Sequence, residues 1–500
     1  MLLRGSLRRL AAELILCEDL LRMKLLLVNP PIARYDTAEL APPLGLLTLA
    51  SSAVDRGLDA EILDLNLPQH RAAGDDPEAF YDYAVSLVAR AQPDEVGISS
   101  MGVNSHVAIH LAETIARKLA LPVVLGGHHL ATIADLAERI TPAGVRVITP
   151  EKRRSLEAKG EWWANAPREI PREVDRLFSR ISLQPYLSSN SRRVANLESG
   201  RGCKYRCSFC YSPSAYSGWT THPPDSVVES FHALSKLGFR HAFLVDDNLT
   251  NSTDGLMRLC QSLGSGGRPL TWNGYATLPD LHPSVFPSLA DAGCVNLYLG
   301  VDAVEPGQQR LWRKRFLRNS RLLFELLAAG SASGIVLTCA FILDPDPSAK
   351  RATESTLEAA LAFRRAGADI RLSVLTVYPK SELASIDRSH MARYSEARTA
   401  ILMDLPKAVV VNPLAHAHPA AFPWHTANLP EPEWSSFLLA VHAAQTLIND
   451  GDAELPKAGA DLWSLCHQVG ARVNSLDGVH KTQLRGYVRR FYQDNSPLAA

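Results

Sequence analysis

"ESGRGCKYRCSFCYSP", residues 198–213, carries three cysteines within eight positions: Cys203, Cys207 and Cys210, at the spacing C-x3-C-x2-C. Thiolates are soft ligands that select zinc, copper(I) and iron–sulfur clusters. A structural zinc site normally takes four protein ligands in a closed tetrahedron. The nearest downstream histidine, His222, stands twelve positions beyond Cys210, so a zinc site stays open only if a distant residue closes it. An iron–sulfur cubane also normally takes four cysteines. Held by three, it keeps one iron without a protein ligand, and an open metal position is what separates catalytic from structural sites. The missing fourth cysteine therefore points to an iron that coordinates a small molecule. Phe209 and Tyr211 flank the last thiol and would shield a cluster from water, which tunes its potential.

Working outward, strand-like runs at 195–199, 241–247, 270–276, 295–301, 335–343 and 370–378 alternate with helical stretches at 226–237, 321–332 and 354–366. Six such repeats predict an α/β fold, a partial (β/α)6 TIM-like barrel over residues 195–384, with its active face at the strand carboxyl ends. The three-cysteine loop follows the first of these strands. Upstream, "KLLLVN" (24–29), "AEILDL" (60–65), "EVGISS" (95–100) and "PVVLGG" (122–127) alternate with helical stretches at 44–54, 79–91 and 107–119. Short buried strands separated by helices predict parallel βαβ units, hence a doubly wound, Rossmann-like domain over residues 24–150. Ligands of such sheets sit at the strand carboxyl ends. Here those ends are Asn29-Pro30-Pro31, Asp64-Leu65-Asn66, Ser99-Ser100-Met101-Gly102 and Gly126-Gly127-His128.

Residues 151–194, charged and carrying Trp162 and Trp163, read as a linker, and residues 385–500 as a mostly helical substrate region. Within it His416, His418, Trp424 and His425 form either a surface loop or a substrate contact. Residues 1–23 read as an N-terminal extension with Leu3, Leu7, Leu10 and Leu14 on one helical face, and Met23 is a second candidate start. The 52 Lys and Arg balance 52 Asp and Glu, which gives no electrostatic case for nucleic acid or an anionic membrane. No apolar stretch is long enough to cross a bilayer. Outside the loop the cysteines (Cys17, Cys260, Cys294, Cys339 and Cys466) are scattered singly, a pattern that suits the reducing cytoplasm.

A C-x3-C-x2-C loop with an aromatic residue before its last cysteine, after the first strand of a βα barrel, resembles the radical S-adenosylmethionine (radical SAM) superfamily. A doubly wound domain ahead of it is similar to the cobalamin-binding, methyltransferase-like branch. "NPPIARYDTAELAPPLGLLTLAS", "DEVGISSM" and "VVLGGHH" match that branch in order, and the resemblance spans roughly residues 24–380. It implies a [4Fe-4S] cluster on Cys203, Cys207 and Cys210, with S-adenosylmethionine on the open iron, cleaved to a 5′-deoxyadenosyl radical. It puts Asp246 and Asp247 where the methionine amine is contacted and Asp302 where the ribose hydroxyls lie. The plain alternatives are an Asx turn and a solvated strand end. Gly126, Gly127 and Ser99 fall where the first domain would meet cobalamin, although a tight turn also explains the glycine pair. The Asp-x-His-x-x-Gly motif is absent, which leaves His128 and His129 as polar contacts only. "ITPAGVRVITPEKRRS" stands where many relatives carry Gly-Glu-Gly-Glu, and the usual glycine pair and glutamate after the second barrel strand are also missing.

The activity this implies is cobalamin-dependent C-methylation of an unactivated carbon in a natural-product or peptide precursor. Its partners would be that small-molecule or peptide substrate and an external one-electron reductant of flavodoxin or ferredoxin type. One rival is a radical SAM cyclase, rearrangement enzyme or peptide epimerase with a vestigial cobalamin domain, for which Cys294 or Cys339 is a conceivable hydrogen donor. The other is a non-catalytic iron–sulfur or cobalamin sensor.

Overall fold

The computed structural model describes residues 23–31, 40–70, 77–102, 104–149, 174–189, 192–267, 269–314, 320–386, 393–394, 418, 425–426, 431–450 and 455–474. The expected N-terminal helix, Cys17, the paired tryptophans of the linker, His416 and Trp424 lie outside them. The chain divides into two compact units between Val194 and Ala195.

The first unit holds five parallel strands: β1 (Lys24–Asn29), β2 (Asp59–Asp64), β3 (Glu95–Ser99), β4 (Val123–Gly126) and β5 (Val145–Val147). Their order is β2-β1-β3-β4-β5. Strand order reverses between β1 and β3, which opens a crevice at their carboxyl ends where ligands bind in doubly wound sheets. Leu25 and Leu27 of β1 are fully buried against Leu46, Ala50 and Ala53 of helix α1 (Leu44–Val54). Helices α2 (Pro77–Ala91) and α3 (Ser105–Leu119) complete the βαβ crossovers. Four of the five strands match the alternation read from sequence. The fifth, only three residues long, is too short for a period of two to register.

In the second unit six parallel strands follow one another in chain order: β6 (Val194–Leu197), β9 (His241–Leu244), β10 (Thr271–Ala276), β11 (Cys294–Asp302), β12 (Val336–Leu343) and β13 (Asp369–Val374). Two short strands, β7 (Gly200–Arg201) and β8 (Thr220–Thr221), form a separate antiparallel pair. Helices α4 (Pro224–Lys236), α5 (Thr253–Ser265), α6 (Ser320–Ala332) and α7 (Lys350–Arg365) occupy the crossovers. Sequential order, left open between β6 and β13, is a partial barrel. Alternate residues of β12 (Leu337, Cys339, Phe341 and Leu343) are buried, and Phe341 stacks on Phe363 of α7 with centroids 6.3 Å apart. On the other face, Phe243, Tyr275 and Tyr298 of β9, β10 and β11 meet ring to ring at 5.3–6.0 Å.

The open edge at β13 is covered rather than left as bare backbone. In α8 (Glu431–Asp450) the Asn449 side chain accepts from Ile370 N at 2.9 Å and donates to Ile370 O at 2.7 Å, while Gln445 Oε1 accepts from Leu372 N at 2.8 Å. Two helix amides thus stand in for a seventh strand, which removes an aggregation-prone edge. A second helix, α9 (Gly459–Asn474), packs on α8. Beyond the barrel, Tyr394 pairs with His425 in a two-residue antiparallel ladder.

Candidate functional site

β6 ends at Leu197 and the cysteine loop begins at once. Its base is closed by the β7–β8 pair, in which Gly200 faces Thr221 and Arg201 faces Thr220. Gly202 has φ +76°, and a Cβ there would collide with the Gly218 carbonyl, so only glycine fits this pinch.

The first half of the loop hangs from the end of β9. Ser199 donates from its backbone N to Asp246 Oδ1 and from its hydroxyl to Asp246 Oδ2, both at 2.7 Å. Burial pushes the Asp246 carboxyl up to about 7, against the Ser199 bonds, which draw it down. Gly202 N donates to Asp247 Oδ2 at 2.9 Å, and Asn251 Nδ2 donates to Gly202 O at 2.7 Å. Lys204 pairs with Asp280 at 2.8 Å, and Tyr205 donates to the same Asp280 oxygen at 2.8 Å.

The second half is clamped from the segments after β11 and β13. Ser208 N donates to Trp312 O at 3.0 Å, its hydroxyl donates to Leu311 O at 2.9 Å, and Leu383 N donates to Ser208 O at 2.7 Å. Buried Trp312 packs edge-on against Phe209, with centroids 5.5 Å apart. Asp302 ends β11 with φ +60°, just after a register shift from Gly300. Its carboxylate meets the Lys314 ammonium at 2.7 Å, and both residues are buried.

Between these anchors stand three free thiols. Burial raises all three, Cys207 to about 12 and Cys210 to about 11, and Lys314 draws each of them down. Ser212 N donates to Cys210 Sγ at 3.4 Å. Among the described residues no three His, Cys, Asp or Glu side chains converge as a single metal ion needs. A cluster spreads its ligands farther apart than one ion does.

The aspartates singled out from sequence thus differ in setting. Asp246 is buried and holds Ser199, Asp247 is exposed at the loop, and Asp302 is paired with Lys314. Neither candidate hydrogen donor reaches this face. Cys294 opens β11, eight residues before Asp302, or roughly 26 Å at the rise of a strand. Cys339 belongs to the helix-facing set of β12, fully buried beside Ile370 and Leu299.

In the first unit, the carboxyl ends of β1 and β2 are tied by Asp64. It accepts from Asn29 Nδ2 and Asn66 Nδ2 at 2.9 Å and from the Tyr186 hydroxyl at 2.6 Å. Tyr186 comes from the short helix Gln184–Ser189, so part of the expected linker is built onto this unit. Asn66 and Asn104 both donate to Pro30 O, at 3.1 and 3.2 Å. Across the crevice, Ser99 of β3 pairs in register with Gly126 of β4. Gly127 has φ +119°, and a Cβ on it would collide with the Ser100 carbonyl. At Gly126 a Cβ would meet nothing within 4 Å. The Ser100 hydroxyl is fully buried without a hydrogen-bond partner among the described residues. His128 and His129 begin the short helix that follows; His128 is exposed and His129 buried.

Comparison with known proteins matches residues 197–389 to the Radical SAM superfamily and residues 35–158 to the B12 binding domain. The chain carries both domains of the cobalamin-binding branch of the radical SAM enzymes. Its cofactors are a [4Fe-4S] cluster, S-adenosylmethionine and cobalamin.

The radical SAM enzyme is 23% identical over 317 residues to bacteriochlorophyllide d C-12(1)-methyltransferase of Chlorobaculum tepidum, covering 60% of this chain and 64% of that protein. It is 28% identical over 121 residues to ribosomal protein uS12 methylthiotransferase RimO of Prochlorococcus marinus, covering 23% and 26%. It therefore spans about a quarter to just under two thirds of the length of these two relatives. In fold it is similar to the radical S-adenosylmethionine methyltransferase TsrM of Kitasatospora setae, with a TM-score of 0.59 at 16% identity, covering 96% of this chain and all of that one.

The residues present fit these groups. Three thiols on one firmly anchored loop are the donor set of a cluster with an open iron. In the B12-binding domain, the open face of Gly126 leaves room for a bulky ring, and the orphaned Ser100 hydroxyl has a hydrogen bond to give. Reading the sequence missed Lys314, Ser208 and Asp280, which carry no motif of their own. Only their meeting in three dimensions marks them.

Proposed function

We propose that this radical SAM enzyme is a cobalamin-dependent methyltransferase acting on an unactivated carbon of a natural-product or peptide precursor. One observation carries the proposal: a B12-binding domain and a radical SAM domain stand in order in a single chain. When bound, the cluster and S-adenosylmethionine supply a hydrogen-abstracting radical and cobalamin supplies a methyl group.

The chain's own part is to hold, orient and exclude water, because the cofactors carry the reactive chemistry. Cys203, Cys207 and Cys210 hold the iron and leave one position open. The exposed Asp247 carboxylate is the candidate partner for the cationic amine of S-adenosylmethionine, where a charge-assisted hydrogen bond is strong. Asp246 keeps Ser199, and hence the loop, in place. Asp302, gripped by Lys314, keeps its second oxygen as a candidate acceptor for a ribose hydroxyl. Phe209 and Trp312 wall the loop with apolar surface. Ser99, Gly126 and Gly127 line the cobalamin side. An external one-electron reductant of flavodoxin or ferredoxin type feeds the cluster. The free thiols and the reducing demand of such a cluster fit the cytoplasm, and among the described residues no helix is long and apolar enough to cross a membrane.

Anoxic reconstitution with iron, sulfide and cobalamin, followed by reductant and methyl-labelled S-adenosylmethionine, tests this. The expected result is 5′-deoxyadenosine together with a substrate that gains one labelled methyl group. 5′-Deoxyadenosine with a product of unchanged mass would sink methylation in favour of rearrangement or epimerisation. Cofactor that stays intact under every condition would favour a sensor.

A further inference from the structure

The Asp302–Lys314 pair is costly to build. Asp302 takes a left-handed backbone that a side-chain-bearing residue rarely adopts, after a bulge that re-aims it. Lys314 is 6% exposed, and lysine is almost never buried unless paired. Strain of this kind persists where the surroundings over-determine it, and it gathers at functional sites. The surroundings here are specific. A Cβ on Gly300 would lie 3.2 Å from both the Lys314 ammonium and an Asp302 oxygen, so the pair is tucked against the carboxyl end of β11. Lys314 lies two residues beyond Trp312, whose carbonyl clamps Ser208 between Cys207 and Cys210. Lys314 N donates to Gln309 O at 2.9 Å, and Gln309 Nε2 donates to Ala303 O at 3.1 Å, which folds this segment back on itself. The segment that fixes the second half of the cysteine loop therefore also delivers a cation beside it.

We propose that Lys314, positioned by Asp302, is a fixed positive charge that raises the reduction potential of the [4Fe-4S] cluster. The inference rests on the reading that these three thiols hold the cluster. Adding one electron to a cluster makes it more negative, and a nearby buried cation stabilises that form more than the oxidised one. The electron comes from the external one-electron reductant, and no proton need move with it. Asp302 has two effects: it holds the ammonium in place and it offsets part of its field. Lys314 is thus a positioning residue acting on the cluster through space.

Redox titration of the reconstituted full-length protein without S-adenosylmethionine, followed by electron paramagnetic resonance, tests this. Lys314→Met should shift the cluster potential to a more negative value. Lys314→Arg should restore it close to wild type. Asp302→Asn, which keeps the cation and removes the opposing charge, should shift it the other way. A purely structural role predicts no such pair of opposite signs. Should Lys314→Met fail to hold iron, Lys314→Gln takes its place: a negative shift supports the proposal, and an unchanged or positive one overturns it. Full iron occupancy in all variants with unmoved potentials, or shifts of one sign only, overturns the role of Lys314 and leaves the three-thiol reading standing. Wild-type protein that takes up no iron overturns both.

Discussion

The two strand ends proposed to receive cofactors are built on opposite principles. The cysteine loop of the radical SAM domain is defined by what holds it: Ser199 by Asp246, Gly202 by Asp247 and Asn251, Ser208 by Leu311, Trp312 and Leu383. The β3–β4 end of the B12-binding domain is defined by what is missing: no side chain at Gly126 or Gly127, and no partner for the Ser100 hydroxyl among the described residues. A metal cluster needs its ligands placed closely, so the protein spends hydrogen bonds on them. A large ring needs room, so the protein spends glycines. Substitutions at the first end should therefore remove support, and at the second they should fill space.

The largest effect is expected from removing a ligand. Cys207→Ser should abolish formation of 5′-deoxyadenosine, with iron content and the charge-transfer absorption of the cluster lost together. A variant that kept both would break the assignment of this loop.

Next comes the support beneath the ligands. Asp246→Ala strands a buried backbone N–H and a hydroxyl, at a cost of about 2–5 kcal/mol read by denaturant unfolding of the metal-free protein. Asp246 also gives the loop a pH signature. Its carboxyl binds a proton more tightly folded than unfolded, because its folded value of about 7 lies above the ordinary 3.8. That contribution is fully present at low pH and is lost as pH rises from about 4 to about 7. The melting temperature of wild type should fall across this window relative to Asp246→Asn, which has nothing to titrate. Parallel curves would show that Asp246 is ionised throughout.

How much of this was visible beforehand follows from the same contrast. The three thiols are legible because their ligand spacing is local: eight residues of chain contain all of them. The two α/β units are legible because buried strands leave apolar runs and helices leave a longer period. The supports are not legible. Asp280 and Lys314 reach the loop only through tertiary contact, and neither spacing nor residue type singles them out. Asp246 follows β9, where the sequence puts it, yet its carboxylate faces inward to Ser199, an orientation that sequence does not carry. Gln445 and Asn449 look like ordinary exposed amides on a helix until β13 is seen to lack a neighbour.

At the second strand end, the paired glycines should behave differently from one another. Gly127→Ala forces a side chain into φ +119° and onto the Ser100 carbonyl, a cost of about 1–3 kcal/mol or more. Gly126→Ala meets no atom within 4 Å and should leave the melting temperature of the cobalamin-free protein unchanged. If that face is where the ring lies, Gly126→Leu should weaken cobalamin binding, followed by its visible absorption, while the fold survives. Equal destabilisation by both alanines would mean that the space before Gly126 is not open.

The smallest effect is expected at Ser100, and it has the most diagnostic sign. A buried hydroxyl without a partner costs the folded state, so Ser100→Ala should be neutral or stabilise the cobalamin-free protein by up to about 1 kcal/mol. With cobalamin present the sign should reverse, because the variant then lacks a hydrogen bond that the wild type makes. The stabilisation conferred by saturating cobalamin should accordingly be smaller in Ser100→Ala than in wild type, by the ratio of their dissociation constants. A hydroxyl that served only to fill the core would give the same increment in both proteins. A variant destabilised even without cobalamin would mean that Ser100 already has a partner, and the contrast between a braced loop and a vacant strand end would lose its second half.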